Sequence, residues 1–266
     1  SFIDKNNILV TLAMLGSKIK VVISERNDPS QYMISEPWNM IRPLVYRCAN
    51  IVTAQSSSVA NFMKMEWNLN KVEIIPNSLP ENLPPPNPNV ERGNICLAVG
   101  RLVPQKDHDF MLRAWQAIHQ KNPNWRLKII GEGFLKEELN LKVEELGLTR
   151  SVIFDGLAKN IWEEYQKAKV FILTSKYEGF PNALMEALAF GCACVSINCP
   201  SGPSELITNE VNGVLIEPGN LNDFVVELDK MLNSDVLQQK YSAASILIRE
   251  RYSVDKIILE WINLIR

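Results

Sequence analysis

Glu178-Gly179-Phe180-Pro181-Asn182-Ala183-Leu184-Met185-Glu186 follows the apolar run Val170-Phe171-Ile172-Leu173, so a buried strand hands the chain to a Pro-bearing turn and then to a helix. Loops at the carboxyl ends of strands are where open α/β sheets bind ligands. Pro181 suits a first helical turn, because its missing N–H would have no intrahelical partner, and Asn182, Ala183 and Leu184 are then expected to offer free backbone N–H groups to an anion. Glu178 lies before this helix and Glu186 one turn inside it. Two acids so placed can flank one phosphate-bearing ligand, accepting hydrogen bonds from hydroxyls at its ends while the helix terminus holds its charged middle.

Strand and helix patterns alternate on both sides of this stretch. Upstream, periodicity predicts strands at 95–99, 126–130, 152–154 and 170–174, with helices at 110–120, 135–146 and 161–168 between them. Downstream, it predicts a helix at 181–190, strands at 193–197 and 214–216, a short helix at 204–207, helices as far as 249 and a last one over 254–265. Such alternation implies right-handed crossovers and a parallel sheet covered on both faces. Before Ile75 a shorter series predicts helices at 8–15, 38–48 and 57–65 and strands at 19–23, 51–53 and 72–75. The two series are separated by Pro76-Asn77-Ser78-Leu79-Pro80 and Leu83-Pro84-Pro85-Pro86-Asn87-Pro88, which can be neither helix nor central strand. The expected division is residues 1–80 as the later part of one domain, 81–94 as a stiff surface linker, 95–250 as a Rossmann-like domain, and 251–266 as a C-terminal helix able to cross back to the first.

Composition is that of an ordinary soluble globular protein: 28 basic against 30 acidic residues, a net charge of −2, and 46% hydrophobic content in 266 residues. Net charge points to neither nucleic acid nor an anionic bilayer, and no apolar stretch approaches the ~20 residues of a membrane helix. The chain opens on Ser1-Phe2-Ile3 as though in mid-domain, which suggests a preceding segment. The five cysteines, Cys48, Cys96, Cys192, Cys194 and Cys199, read as buried reduced thiols in a cytosolic protein. Cys192-x-Cys194 lacks nearby histidines to complete a metal site.

Other loops on the same rim carry chemistry. The strand ending at Val99 runs into Gly100-Arg101-Leu102-Val103-Pro104-Gln105-Lys106, where Gly100 permits a close turn and Arg101 and Lys106 can project toward the helix at Asn182. Together they would clamp a diphosphate. Taken alone they read as solvated surface charges. Gly131-Glu132-Gly133 and Asp155-Gly156-Leu157 end the next two strands; they either offer backbone groups to a nucleobase or are plain tight turns. Ser201-Gly202-Pro203-Ser204-Glu205 likewise either approaches an anion or packs on the Glu178 loop, or is a turn capped by Ser204. His108 and His119 read as surface histidines.

In this order, Gly-Arg-x4-Lys, Gly-x-Gly, Phe-x-Gly, Glu-Gly-Phe-Pro-x4-Glu-Ala and Gly-Pro-x-Glu closely resemble the C-terminal domain of retaining glycosyltransferases of family four, from about Ile95 to the end of the chain. Pro76-Asn77-Ser78 is similar to the Pro-Asn-Gly before that family's interdomain linker. The resemblance implies the GT-B fold, two Rossmann-like domains facing a cleft, the N-terminal one incomplete here and binding the acceptor. It implies Arg101 and Lys106 on the donor diphosphate, Glu178 on the donor sugar and Glu186 on the ribose. Gly179, Phe180, Pro181, Asn182, Ala183 and Leu184 would approach sugar and phosphates, and Gly100, Gly131, Gly156 and Leu157 complete the donor pocket. Where many members have Thr-x-His, this chain has Ser24-Glu25-Arg26-Asn27, so Arg26 or Asn27 is expected in the histidine's place. The implied function is transfer of a sugar from a nucleotide diphosphate sugar, UDP-glucose first and UDP-N-acetylgalactosamine second, to a polysaccharide or lipid-linked glycan acceptor. No cofactor or metal is expected, since the cations and the helix terminus supply the positive charge. The expected setting is the cytoplasm, including the inner membrane face, with peripheral membrane contact through the first domain and no nucleic-acid partner. A non-catalytic nucleotide-sugar-binding module is the competing reading; nothing in the sequence supplies the acid–base pair of an epimerase or the cofactor lysine of a phosphorylase.

Overall fold

The computed structural model describes all 266 residues. The first series is α1 (Asp4–Ala13), β1 (Val22–Ser24), α2 (Trp38–Tyr46), β2 (Ile51–Ala54), α3 (Ser57–Glu66) and β3 (Val72–Ile74). Its strands form a parallel three-stranded sheet in the order β1-β2-β3. The second series runs β4 (Gly93–Val99), α4 (His108–Ile118), β5 (Arg126–Ile130), α5 (Lys136–Glu145), β6 (Val152–Phe154), α6 (Ile161–Lys167), β7 (Ala168–Leu173), α7 (Asn182–Ala189), β8 (Ala193–Ile197), α8 (Pro203–Leu206) and β9 (Val214–Ile216). It is completed by α9 (Leu221–Leu232), α10 (Asp235–Ser245), α11 (Ile248–Arg251) and α12 (Val254–Ile265). Its six strands are all parallel, in the order β6-β5-β4-β7-β8-β9.

Each sheet has apolar packing of its own. Ile8, Ile23, Tyr46, Val52 and Met63 build the core of the small sheet. The large sheet is covered on both sides: one cluster contains Trp115, Ile129, Ile172 and Phe224, the other Leu97, Phe171, Leu184 and Phe190. Parallel strands buried on both faces carry apolar residues at successive positions rather than at alternate ones, and all five residues of β8 are buried. The helices are anchored by local chemistry. Ser56, Asn220, Ser234 and Ser253 accept hydrogen bonds from the first-turn N–H groups of α3, α9, α10 and α12.

The Pro-rich connection is held down rather than loose. Ile75 and Leu79 bury themselves in the core on the α7 side of the large sheet. Arg249 Nη2 donates to the carbonyls of Leu83 and Pro84, each at 3.0 Å. The connection is also shorter than the sequence implies, because β4 already begins at Gly93, which pairs with Ala168. Other boundaries move by similar amounts. α1 starts four residues before Ile8, its first turn being polar in sequence although Asp4 and Asn7 are buried. β1 is confined to Val22–Ser24. Of the five thiols Cys48 is exposed, at the end of α2, which corrects its expected burial; the other four are buried.

Candidate functional site

β4 and β7 lie side by side although two strands and three helices separate them in sequence, so strand order reverses there. Loops leaving the carboxyl ends of such a pair diverge and open a crevice. Here they are also tied to each other. Lys176 N–H donates to the Gln105 carbonyl (2.8 Å), Gln105 Nε2 to the Tyr177 carbonyl (2.9 Å), and Thr174 Oγ1 to the Lys106 carbonyl (3.0 Å). This bracing brings Lys106 Nζ within 2.6 Å of Glu178 Oε1, which also accepts from Ser175 Oγ at 2.6 Å. Glu178 is only 5% exposed.

The small sheet faces this crevice with the loop that leaves β1. The Gly179 backbone packs so closely on it that a Cβ there would collide with the Arg26 carbonyl oxygen. Ser201 Oγ donates to Asp28 Oδ2 (3.1 Å) and is also hydrogen-bonded to the Glu178 carbonyl, joining the two loops to the Ser201 turn. Arg26 stacks its guanidinium over Phe2 at 4.8 Å and donates to Asn77 Oδ1, while Asn77 Nδ2 donates to Asn182 Oδ1 at 2.8 Å. With its amide turned so that both atoms are satisfied, Gln55 donates to the Arg26 carbonyl at 2.8 Å and accepts from Arg26 Nη1 at 2.9 Å. Burial lowers the Arg26 pKa from its ordinary value. A chain of polar side chains thus spans the crevice.

The crevice is an open cavity of about 790 Å³. Arg101, Lys106 and Glu178 line it from the large sheet, Arg26, Asn27 and Asn77 from the opposite side, and Ile257 and Trp261 of α12 add an apolar wall. Three cations against one carboxylate leave a lining charge of +2 (3 − 1). A dianionic diphosphate diester balances that charge, and the mostly polar lining suits such a charged, hydroxyl-bearing ligand better than an apolar one.

Residues 81–246 match the family described as Glycosyl transferases group 1. The chain belongs to this family. A glycosyltransferase of Haemophilus influenzae without an assigned reaction is 33% identical over 82% of the chain and 61% of its own length. The N-acetylgalactosamine-N,N'-diacetylbacillosaminyl-diphospho-undecaprenol 4-alpha-N-acetylgalactosaminyltransferase of Campylobacter jejuni is 30% identical over 90% of the chain and 68% of its own length. The chain therefore spans about two thirds of the length of these relatives. Among solved structures, HepE from Anabaena in complex with UDP superposes with a TM-score of 0.88 at 18% identity, covering 99% of the chain and 77% of HepE. The shared fold is GT-B.

Within this member of the group 1 family the expected site residues separate into two sets. Arg26, Asn27, Arg101, Lys106, Glu178, Gly179, Phe180 and Asn182 all reach the one cavity. Gly100, Gly131, Gly156, Leu157, Pro181, Ala183 and Leu184 do not line it, and Leu184 is fully buried. Gly100 N–H donates to the Ile130 carbonyl (2.9 Å) and Gly131 N–H to the Gly156 carbonyl (2.7 Å), while a Cβ on Gly131 would strike the Gly100 carbonyl oxygen. These glycines pack strand-end loops against each other, and Leu157 is 71% exposed. Glu186 lies half-buried outside the cavity, facing the Tyr165 hydroxyl, which completes no hydrogen bond. Burial raises the Glu186 pKa, with the Tyr165 hydroxyl acting against that rise.

Several expectations need correction. Pro181 caps α7 from outside instead of occupying its first turn, and Asn182 N–H is not free, because it donates to the Phe180 carbonyl at 3.0 Å. Ala183 and Leu184 N–H do lack backbone acceptors. Lys106 lines the cavity while ion-paired to Glu178, so a ligand meets the pair and not a lone ammonium. Ser204 caps nothing: α8 begins at Pro203 after Gly202, and Glu205 Oε1 accepts from Ser57 N–H at 2.6 Å, across to the start of α3. His108 is buried, at 4% exposure, with Nδ1 unpartnered; burial, helped by the Lys106 charge, lowers its pKa to about 4. Its place on the α4 stripe with Met111, Leu112 and Trp115 was a readable signal. Asn77, Gln55, Asp28 and Glu25 escaped sequence reasoning, because their partners are distant in the chain.

Proposed function

We propose that the protein is a retaining glycosyltransferase of family four, transferring a hexose or N-acetylhexosamine from a UDP-sugar to a polysaccharide or lipid-linked glycan. The observation that carries this reading is the cavity of lining charge +2 at the β4/β7 switch point, closed from the other side by Arg26 and Asn27. The first 80 residues then belong to the acceptor half and the large sheet to the donor half. UDP-glucose and UDP-N-acetylgalactosamine are the donors to test first. The Campylobacter relative's name specifies an N-acetylgalactosaminyl transfer to a diphospho-undecaprenol-linked acceptor, and its "alpha" product is what retention gives from an α-linked UDP-sugar.

In this mechanism the diphosphate lies between Arg101, Lys106 and the α7 N-terminus at Asn182, behind which the half-buried Ala183 amide is unpartnered. These donors are fixed before reaction, so they stabilise the charge that grows on the leaving diphosphate as the glycosidic bond breaks. Glu178, with its Oε1 held by Ser175 and Lys106, contacts donor sugar hydroxyls, and the ribose extends past the cavity lining toward Glu186. The acceptor hydroxyl attacks from the face the diphosphate leaves, and a diphosphate oxygen takes its proton. Incubation of the full chain with UDP-sugars and an undecaprenyl diphosphate-linked glycan, with NMR of the new anomeric proton, tests the reading. An α-linked product supports it; UDP binding without transfer to any acceptor would favour a binding module.

A further inference from the structure

We propose that Glu25 is a positioning residue whose buried carboxylate clamps the backbone amides of Arg26 and Asn27 and so aims both side chains into the cleft. This rests on the transferase reading above. Glu25 N–H makes the last bond of the β1 ladder, to the Thr53 carbonyl at 2.8 Å. The next two amides have left the sheet, and both donate to Glu25 Oε1, Arg26 at 3.0 Å and Asn27 at 3.2 Å. The other oxygen is fixed from below. Glu25 Oε2 accepts from Tyr46 Oη at 2.9 Å and pairs with Arg42 Nη2. Asn7 Nδ2 in turn donates to Tyr46 Oη at 3.1 Å and to the Ser24 carbonyl at 2.8 Å. α1, α2 and β1 therefore converge on one carboxylate, and Glu25 and Arg42 are each 0% exposed.

Such an arrangement is poorly suited to stability alone. Two charges taken out of water lose much of their attraction to desolvation, and apolar side chains of the same volume commonly hold a core at least as well. Arg42 also leaves Nε and Nη1 without partners. What the carboxylate accomplishes, and an apolar residue could not, is to accept from two consecutive amides at the point where the chain turns toward the ligand cavity. Because Arg42 neutralises it, Glu25 does this without placing an unpaired negative charge behind the Arg26 and Asn27 wall of the cavity.

The test compares Glu25→Gln and Glu25→Leu, each combined with Arg42→Met in the full chain, so that both carry an uncharged core. Glutamine keeps an oxygen for the two amides; leucine does not. The Gln variant is expected within about threefold of wild-type kcat/KM, and the Leu variant at least tenfold below it, and adding Arg26→Ala to the Leu variant should cost little more, since a misaimed Arg26 has already lost its contact. Equal activities of the Gln and Leu variants, or losses that multiply with Arg26→Ala, would overturn the proposal. Hydrogen exchange on the wild-type chain keeps the question decidable if the Leu variant does not fold: protected Arg26 and Asn27 amides are expected, and rapid exchange at both would refute the clamp. A wild-type chain that neither binds UDP nor transfers sugar would instead fail the transferase reading, with the exchange result standing apart from it.

Discussion

Lys106→Met removes one of the cavity's three cations while keeping most of the side chain's apolar stem. Two effects follow from the geometry, and they separate. Lys106 Nζ is the charge-bearing partner of Glu178 at 2.6 Å, with side-chain exposures of 18% and 7%. Breaking the pair leaves Glu178 with Ser175 Oγ as its side-chain partner. For a fully buried pair that costs about 3–5 kcal/mol; with Lys106 reaching solvent, about 1–3 kcal/mol is the reasonable range, or several degrees in Tm at this chain length. Diphosphate binding loses one charge-assisted hydrogen bond, about 1.5–3 kcal/mol, which is roughly a tenfold to 150-fold rise in the UDP Kd. Adding Glu178→Gln to Lys106→Met should restore much of the stability, because no unpaired carboxylate remains, and should not restore UDP binding. Calorimetric titration with UDP and thermal melts on the four proteins of this cycle read both quantities. UDP affinity unchanged in Lys106→Met would refute the clamp, whatever happened to Tm.

Glu178→Gln alone releases Lys106 from its carboxylate, so UDP should bind as tightly as to wild type or up to about tenfold tighter, while turnover falls because the sugar contact is felt mainly in the transition state; weaker UDP binding together with a lower Tm would instead mark Glu178 as a loop-stabilising residue. Glu186 has a pKa raised by burial, so the stability linked to its protonation is present below the ordinary carboxyl value and lost as pH rises through the raised one. Glu186→Gln should therefore melt higher than wild type at neutral pH, with the difference vanishing below about pH 4.5, and it should weaken binding of UDP more than of deoxy-UDP; melting curves across pH and paired titrations check both. His108 has the opposite sign, since a buried neutral imidazole supports the fold above about pH 6.5 and stops doing so as pH falls through about 4. His108→Leu should remove up to roughly 3 kcal/mol of acid sensitivity in that window, and identical wild-type and variant profiles would mean that the ring is not held neutral by the fold.

The large sheet was legible because its central strands are buried on both faces and read as nearly continuous apolar runs, as in Ala193–Ile197, and its shorter edge strands Val152–Phe154 and Val214–Ile216 also fall where periodicity places them. α1 was misplaced at its start because its buried Asp4 and Asn7 look like a solvated turn in sequence. The same limit governed the site. Arg101, Lys106 and Glu178 end adjacent strands and carry spacing that a reader can see. Asn77 does not, since its link between Arg26 and Asn182 depends on residues 51 and 105 positions away. Glu25 was hidden for the same reason: seventeen residues separate it from Arg42, and tertiary packing, with α2 against α1 and α1 against β1, brings them together. The glycine loops were ambiguous in sequence because close backbone approach serves a ligand or a neighbouring loop equally well, and Gly131 packs against a loop.

The central claim, that this cavity holds a nucleotide diphosphate sugar for transfer, is met most directly by a crystal structure of the full chain with UDP-glucose or UDP-N-acetylgalactosamine. The diphosphate is expected within hydrogen-bond reach of Arg101 and Lys106 and at the α7 N-terminus beside Asn182, with the sugar against Glu178 and the anomeric carbon open toward Arg26 and Asn27. A donor bound away from Arg101 and Lys106, or a saturated crystal whose cavity holds no diphosphate, would contradict the account.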